Sequence, residues 1–305
     1  MTNQLNGREL LTPDAWATPP TEPHNHADHA GYGPTIAPKH KFDLALTRIT
    51  EDTDVPPVEP TITIKNGVFA IKGDISFISG LPKSGKSTTC RYLMATALMQ
   101  HIPDGFDTLD IRANYCDGRP VVYIDTEQPL AYTKRTGDEI RKILGTEHLP
   151  DYLYLYNWRH HTAKENREAI EQLFTELPNA AYWIVDGITD FIAGANEEKE
   201  SNEVIRFFMR QASNLNTTIV LLIHENAGGG KMRGHIGSEA ERKCAGAITI
   251  RKDRQNGVHW IEPKLIRGSA DFEPYPFMYD DEQRRFVLAT KCYEPALPRI
   301  TGDEL

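Results

Sequence analysis

The sequence predicts an α/β fold with a mostly parallel central sheet flanked by helices. From about residue 61 onward, apolar strand-like runs alternate with helix-like runs, which is the pattern of strand–helix–strand units. The strands are apolar throughout, as expected of strands that are buried on both faces of a sheet. A glycine-rich stretch, GLPKSGKST, joins one such strand to one such helix.

The first predicted elements are a hairpin, a buried strand and a helix. The stretch TITIKNGVFAIKGDISFISG alternates apolar and polar residues around an Asn-Gly turn and then enters a buried strand. The helix STTCRYLMATALMQH follows directly after it. The glycine-rich stretch therefore lies between a strand and a helix.

Strand-like and helix-like runs continue to alternate along the middle of the chain. Strands are predicted over 121–125, 152–156, 182–186 and 217–223, with helices at LAYTKRTGDEIRKIL, REAIEQLFTEL and about 203–214. The last third contains the strand-like runs AITIRK, HWIEPKLI and RRFVLAT without intervening helices. We expect these strands to extend one edge of the sheet in antiparallel fashion.

The composition divides the chain into an arm, a domain and a tail. Residues 1–60 are rich in Pro, Thr, Asp, His and Asn, which predicts an extended or disordered N-terminal arm. Within the arm, the segment 42–49 fits a helix or a strand equally well. Residues 61–290 are predicted to form one domain, and residues 291–305 a C-terminal tail.

The amino-acid composition is that of an acidic protein with one basic segment. The 305-residue chain has a net charge of −9, and no apolar run is long enough for a membrane span. It begins without a secretory signal, and its four cysteines lie far apart, so a cytoplasmic location is expected. Residues 231–254 hold seven basic and three acidic residues, so a polyanionic partner is expected to bind there.

The glycine-rich stretch fits the pattern G-x-x-x-x-G-K-[S/T], which is typical of loops that bind the phosphates of a nucleotide. Its glycines let backbone N–H groups and a helix amino terminus face the phosphate. Lys86 is expected to neutralise the β- and γ-phosphates, and Ser87 to ligate Mg²⁺. The predicted nucleotide-binding residues are Gly80, Leu81, Pro82, Lys83, Ser84, Gly85, Lys86, Ser87 and Thr88.

Acidic residues follow two of the predicted strands. Asp186 ends the strand 182–186 and is the candidate acid of the Mg²⁺ site, with Asp190 a weaker substitute. Glu127 lies just beyond the strand 121–125, at the edge where parallel sheets gather their ligands. It could act as base or positioner for water in line with the γ-phosphate. The alternatives are a capping role for Asp186 and an exposed turn position for Glu127.

His224 closes the strand 217–223 and precedes the stretch NAGGGKMRGHIGSE. A polar residue at that position can hydrogen-bond the γ-phosphate and transmit its loss to the next loop, although a purely structural histidine is the alternative. Three consecutive glycines do not form a stable helix or strand, so we expect the loop to be mobile until a ligand orders it. The loop carries Lys231 and Arg233 and opens the basic segment.

The combination of GLPKSGKST, VVYIDTEQP, YWIVDGITD, LLIHENAGGGKMRGHIGSE and KLIRGSADFEPYPFMYDDEQRRF resembles the RecA-type ATPase core. Within it, the sequence is most similar to RepA-type replication ATPases of plasmids and mobile elements, which are hexameric DNA helicases. The resemblance covers about 60–289 and implies ATP and Mg²⁺ as cofactors. It also implies that Glu127 is the catalytic carboxylate, that His224 senses the γ-phosphate, and that the loop 228–237 contacts DNA.

The resemblance further implies a ring in which ATP lies between subunits and a neighbour's cation completes the site. We expect Arg267 to be this arginine finger, with Lys264 beside it. Related helicases commonly have a K-x-R pair, whereas two residues separate the pair here. An ordinary surface salt bridge is the alternative role for Arg267. The predicted DNA-contacting residues are Lys231, Arg233 and His235.

Three functions are compatible with these motifs. The first is a ring-forming ATPase that translocates on single-stranded DNA, and the second is a regulatory or assembly ATPase that acts on a protein. The third is a small-molecule kinase, which the presence of Glu127 disfavours. The sequence has no N-K-x-D motif for guanine recognition. Hydrolysis requires Glu127 to lie near the terminal phosphate and to be free of another ion pair.

Overall fold

A nine-stranded sheet forms the centre of the fold in the computed structural model, which describes residues 47–194, 198–228 and 230–289. The elements are β1 (Pro60–Ile64), β2 (Gly67–Ile71), β3 (Ile75–Gly80), α1 (Lys86–Leu98), β4 (Ile111–Ala113), β5 (Val121–Asp125), α2 (Leu130–Leu144), β6 (Leu153–Asn157), α3 (Ala163–Glu176), β7 (Tyr182–Asp186), a 3₁₀ helix (Ile188–Phe191), α4 (Glu198–Leu215), β8 (Thr218–His224), α5 (Gly234–Lys243), β9 (Gly246–Lys252), β10 (His259–Ile266), β11 (Tyr275–Asp280) and β12 (Arg285–Leu288).

The strand order of this sheet is β12-β11-β10-β9-β3-β8-β7-β5-β6. The six strands from β9 to β6 are parallel, whereas β10, β11 and β12 continue the sheet in antiparallel fashion. This confirms the predicted RecA-like α/β core with a mostly parallel sheet and an antiparallel C-terminal edge. Because β8 lies between β3 and β7, the ends of these three strands meet at one edge of the sheet.

The C-terminal third differs from its prediction in one respect. AITIRK, as part of β9, pairs parallel to β3 rather than antiparallel. The reason is that α5 precedes β9 and carries the chain back across the sheet, as a parallel connection requires. The helix α5 itself was not predicted, because the glycines of GHIGSEAERK obscured the helical pattern, whereas in the described chain no helix intervenes between β9 and β12, as expected.

A second, three-stranded antiparallel sheet has the order β2-β1-β4. The predicted hairpin is β1–β2, and Lys65 and Asn66 form its turn, so the turn begins one residue earlier than expected. The hydroxyl of Tyr182 in β7 lies within hydrogen-bond distance of the carbonyl oxygens of Thr61 in β1 (3.2 Å) and of Asn114 just after β4 (2.8 Å). Strand β4 was not predicted because three residues are too few for a recognisable pattern.

The helix α1 is enclosed by other elements rather than lying on the surface. Eleven of its 13 residues are buried, among them the polar Lys86, Thr88, Thr89 and Thr96, so the helix is not amphipathic. It contacts α2, β3, β4 and β5. This surrounding fixes the helix whose amino terminus follows the glycine-rich stretch.

The chain consists of two compact units, one that ends at Pro57 and one that begins at Val58. In the first unit, the backbone N–H of Thr53 donates to the carbonyl oxygen of Thr50 at 3.1 Å. Most of the predicted N-terminal arm (1–46) and the predicted tail (291–305) lie outside the described residues. Within the part of the chain that is described, no helix has the length and apolarity needed to cross a membrane.

Gly246, the first residue of β9, is predicted to be necessary for the docking of β2. A Cβ atom at this position would lie 2.3 Å from the carbonyl oxygen of Phe69, which also accepts a 2.9 Å hydrogen bond from the Ser76 hydroxyl. We expect Gly246→Ala to lower the free energy of unfolding by about 1–3 kcal/mol, as measured by urea denaturation. Gly228→Ala is the matched control, because its Cβ would enter open space. Equal stability of the two variants would contradict this account.

Candidate nucleotide site

The glycine-rich stretch 80–88 forms a loop between the end of β3 and the start of α1. The Lys86 ammonium donates to the carbonyl oxygens of Gly80 at 3.0 Å and Leu81 at 3.3 Å, and it lies 3.0 Å from Nδ1 of His224. Burial lowers the pKa of Lys86, while the nearby carboxylates of Asp186, Glu127 and Glu225 act in the opposite direction. The loop thus encloses a buried cation at the amino terminus of a helix, which suits a phosphate group.

His224 lies between Lys86 and Glu127 because β8 lies between β3, which leads to Lys86, and the neighbouring strands β7 and β5, of which β5 leads to Glu127. A lysine ammonium has only hydrogen-bond donors, so Nδ1 of His224 accepts from Lys86. The proton of the neutral ring is then on Nε2, which donates to Oε2 of Glu127 at 3.0 Å. The three side chains that were predicted to lie at the γ-phosphate therefore form one continuous chain of hydrogen bonds.

Asp125, the fully buried last residue of β5, positions Glu127. Its Oδ1 accepts from the backbone N–H groups of Glu127 at 3.1 Å and Gln128 at 2.9 Å, and its Oδ2 accepts from the Thr133 hydroxyl at 2.8 Å. Burial acts to raise the pKa of Glu127, but the hydrogen bond from His224 and the charge of Lys86 outweigh burial and lower it. Glu127 is therefore an ionised carboxylate inside the site, and its partner there is His224.

Ser87 and Asp186 form the candidate metal pair. The Ser87 hydroxyl donates to Oδ2 of Asp186 at 2.9 Å, and the Tyr123 hydroxyl donates to the same oxygen at 2.8 Å. Burial, together with the charges of Glu127 and Asp125, raises the pKa of Asp186 to about 6. A hydroxyl and a carboxylate are the oxygen ligands that Mg²⁺ prefers, and a divalent cation here would offset the crowded negative charge.

Asp190, the weaker substitute, has a different partner in the structure. Its Oδ2 accepts from the Thr126 hydroxyl at 2.7 Å, so it is joined to the strand end of β5 rather than to Ser87. Among the described residues there is no cluster of three or more His, Cys, Asp or Glu side chains with a metal-binding arrangement. Two protein ligands are sufficient for Mg²⁺, which normally keeps several waters and binds substrate phosphates.

The basic loop after β8 is a hairpin whose base is paired. The Arg233 N–H donates to the carbonyl oxygen of His224 at 2.8 Å, and the Asn226 N–H donates to that of Lys231 at 3.0 Å. The side chains of Lys231 and Arg233 are exposed and have no ion-pair partner among the described residues. His235, expected in the same loop, instead lies in the first turn of α5, so the loop ends at residue 233. The predicted loop 228–237 is therefore shorter in the structure, because its last four residues belong to α5.

Glu225 was not predicted as a functional residue, and the structure places it next to this loop. It is 6% exposed, and its Oε1 accepts from the hydroxyls of Ser79 at 3.1 Å and Thr249 at 3.0 Å. Lys264 lies 3.8 Å from the same oxygen and donates to the carbonyl oxygen of Gly230 at 2.5 Å. No sequence pattern indicates this contact, since the residues come from β8, β10 and the loop.

Arg267 lies at the edge of the sheet opposite the phosphate loop. Its N–H donates to the carbonyl oxygen of Ala245, whose own N–H donates to that of Ile75 at the start of β3. The length of β3 therefore separates it from Gly80, which is roughly 17 Å at ~3.3 Å per residue. Its exposed guanidinium donates to the carbonyl oxygen of Arg242 in α5. Lys264 also has a partner within the chain, since it lies 3.3 Å from Glu241.

The comparisons with known proteins agree with this geometry at the level of the family. A search of curated proteins found no match. A scan against protein-family models matched residues 43–230 to the family described as AAA domain. This segment is more than half of the chain and contains the phosphate loop, Glu127, Asp186 and His224, whereas Lys264 and Arg267 lie beyond it. The chain therefore belongs to the AAA domain family, and it is a P-loop ATPase.

Proposed function

We propose that this ATPase assembles into a ring, of RepA type and with six subunits, that translocates along single-stranded DNA in the replication of a plasmid or mobile element. One observation carries the proposal. The ring of His224 contacts Lys86 and Glu127, while its backbone carbonyl oxygen binds the N–H of Arg233 in the basic loop. One residue thus joins the nucleotide site to the loop that would hold a polyanion.

In the proposed reaction, the phosphate loop and Lys86 bind ATP. Ser87 and Asp186 hold Mg²⁺, which neutralises charge on the phosphate oxygens. Glu127 accepts a proton from, or orients, the attacking water. The terminal phosphate competes for two hydrogen-bond donors, the Lys86 ammonium, which donates to His224 in the structure, and the His224 Nε2–H, which donates to Glu127. Its binding therefore releases Glu127 from His224 and frees the carboxylate to face the water.

Loss of the terminal phosphate would reverse this exchange. His224 then returns to Glu127, and the movement reaches the loop through the bonds at its base. Lys264 supports the loop from the other side, since it contacts both buried Glu225 and the carbonyl oxygen of Gly230. The loop therefore follows the state of the nucleotide.

The exposed side chains of Lys231 and Arg233 would contact DNA phosphates, with His235 at the start of α5 beside them. No aromatic residue lies between 227 and 240, so the loop is suited to follow the backbone rather than to stack on bases. Phosphate contacts make such binding weaken steeply with salt. The acidic protein as a whole is compatible with this role, since only the pore has to be positive.

Arg267 is the proposed arginine finger, and its position supports a role in trans. It lies at the edge opposite its own phosphate loop, so it cannot complete the site of its own subunit. In a closed ring the two different edges of neighbouring subunits meet. Lys264, expected beside it, contributes to the neighbour's site only if it leaves its partners within its own subunit.

Glu127→Gln is predicted to lower ATP hydrolysis by about 10²–10⁴-fold while ATP binding is retained. The amide keeps an oxygen that can accept from His224, but it cannot take a proton from water. Single-turnover hydrolysis and equilibrium binding of ATP measure the two effects separately. Glu168→Gln on the surface of α3 is the control, since Glu168 is exposed and pairs with Lys164. A Glu127→Gln protein that hydrolyses ATP at the normal rate would remove Glu127 from the reaction.

Single-stranded DNA is predicted to raise the steady-state ATPase rate at least several-fold, and Lys231→Ala with Arg233→Ala to abolish that rise. The basal rate should remain, because neither side chain touches the nucleotide site. The control is Lys134→Ala with Lys142→Ala, which removes the same charge from exposed positions of α2. If no polynucleotide stimulates an assembled and active protein, a regulatory ATPase that acts on a protein is the better assignment.

Mixing Arg267→Ala protein with Lys86→Ala protein is predicted to restore ATPase activity that neither variant has alone. In mixed rings, roughly a quarter of the interfaces combine an intact phosphate loop with an intact neighbouring arginine. The measurement is the ATPase rate of the mixture, alongside native mass spectrometry that confirms mixed assemblies and counts the subunits. Mixed rings without any activity would show that Arg267 does not complete the neighbour's site.

A further inference from the structure

A histidine on the first position of β10 contacts the phosphate loop from outside the motif. Nδ1 of His259 lies 2.5 Å from the carbonyl oxygen of Ser84. A carbonyl oxygen only accepts hydrogen bonds, so Nδ1 carries the hydrogen atom and donates it. This contact exists because β10 runs antiparallel to β9, which places its first residue at the edge where the parallel strands end.

The imidazole of His259 is held in one orientation. It stacks on Phe277 of β11, with ring centres 5.0 Å apart, and Phe286 of β12 meets it edge-on at 5.5 Å. The residue is 5% exposed, and its burial lowers the pKa of the ring, which favours the neutral form. All three antiparallel strands of the sheet edge therefore fix the direction of the Nδ1–H bond.

The ring also occupies the space beside Gly85. This glycine has a left-handed backbone with φ of 111°, and a Cβ atom here would lie 2.7 Å from Nδ1 of His259. The last turn of the phosphate loop before Lys86 therefore rests directly on the imidazole. A side chain at residue 85 and the ring of His259 could not be present together without movement of the loop.

We propose that His259 is a positioning residue for nucleotide binding, which fixes the peptide between Ser84 and Gly85. In a planar trans peptide the C=O and the N–H point in opposite directions. Holding the Ser84 carbonyl on His259 consequently directs the Gly85 N–H to the other side, into the loop where phosphate binds. The role rests on nucleotide binding by this AAA-family loop and is independent of the proposed action on DNA.

The test compares His259→Asn with His259→Leu. Both variants lose the ring and have side chains of similar size, but only asparagine keeps a donor near the position of Nδ1. The Kd for ADP with Mg²⁺, measured by calorimetry, reports on the loop without the hydrolysis step. We expect His259→Leu to bind at least fivefold more weakly than His259→Asn, with kcat at saturating ATP changed less than twofold between them.

Phe277→Leu is the control for packing, because it loosens the same ring without removing the donor. We expect it to lower the unfolding temperature but to weaken the binding of ADP less than His259→Leu does. Equal affinity of the Asn and Leu variants, or an equal loss in Phe277→Leu, would overturn the positioning role. Failure of the parent protein to bind ADP would instead overturn nucleotide binding itself, and with it this inference.

Discussion

The parallel pairing of β8 between β3 and β7 is the constraint on which the site depends. Gly80 at the end of β3 is in register with His224, and Asp186 at the end of β7 is in register with Leu222. His224 therefore extends two residues beyond the level of Asp186 and reaches between Lys86 and Glu127. Segments far apart in the chain converge in this way because strands supply the alignment, and no single loop has to fold around the nucleotide.

This convergence has an electrostatic cost that explains the chemistry of the site. Asp125 and Glu127 lie close to the buried Asp186, and burial with mutual repulsion raises the pKa of Asp186 to about 6. Hydrogen bonds from Tyr123 and Ser87 offset part of that cost. A site that is unfavourable in isolation would gain stability from a divalent cation, and such perturbed groups are typical of functional sites.

The sequence predicted the parts that carry their own local signal. The predicted bounds match those of the structure for four elements, since each is a continuous apolar or amphipathic run: β5, β7, β10 and α2. α5 was missed because its glycines weaken the helical pattern. His259 and Glu225 were missed for another reason. Their importance comes from contacts with Ser84 and Lys264 across the sheet, and no local pattern encodes such a pairing.

The basic loop after β8 depends both on its local sequence and on contacts with distant parts of the fold. Its glycines predict freedom of movement, but a loop that moved freely along its whole length could not transmit a displacement of His224. The paired base and the bond from Lys264 to Gly230 restrict that freedom. The proposed movement along DNA has two different requirements, a rigid base attached to His224 and a tip that can follow a polymer. Glycine residues suit the tip, and hydrogen bonds within the fold hold the base.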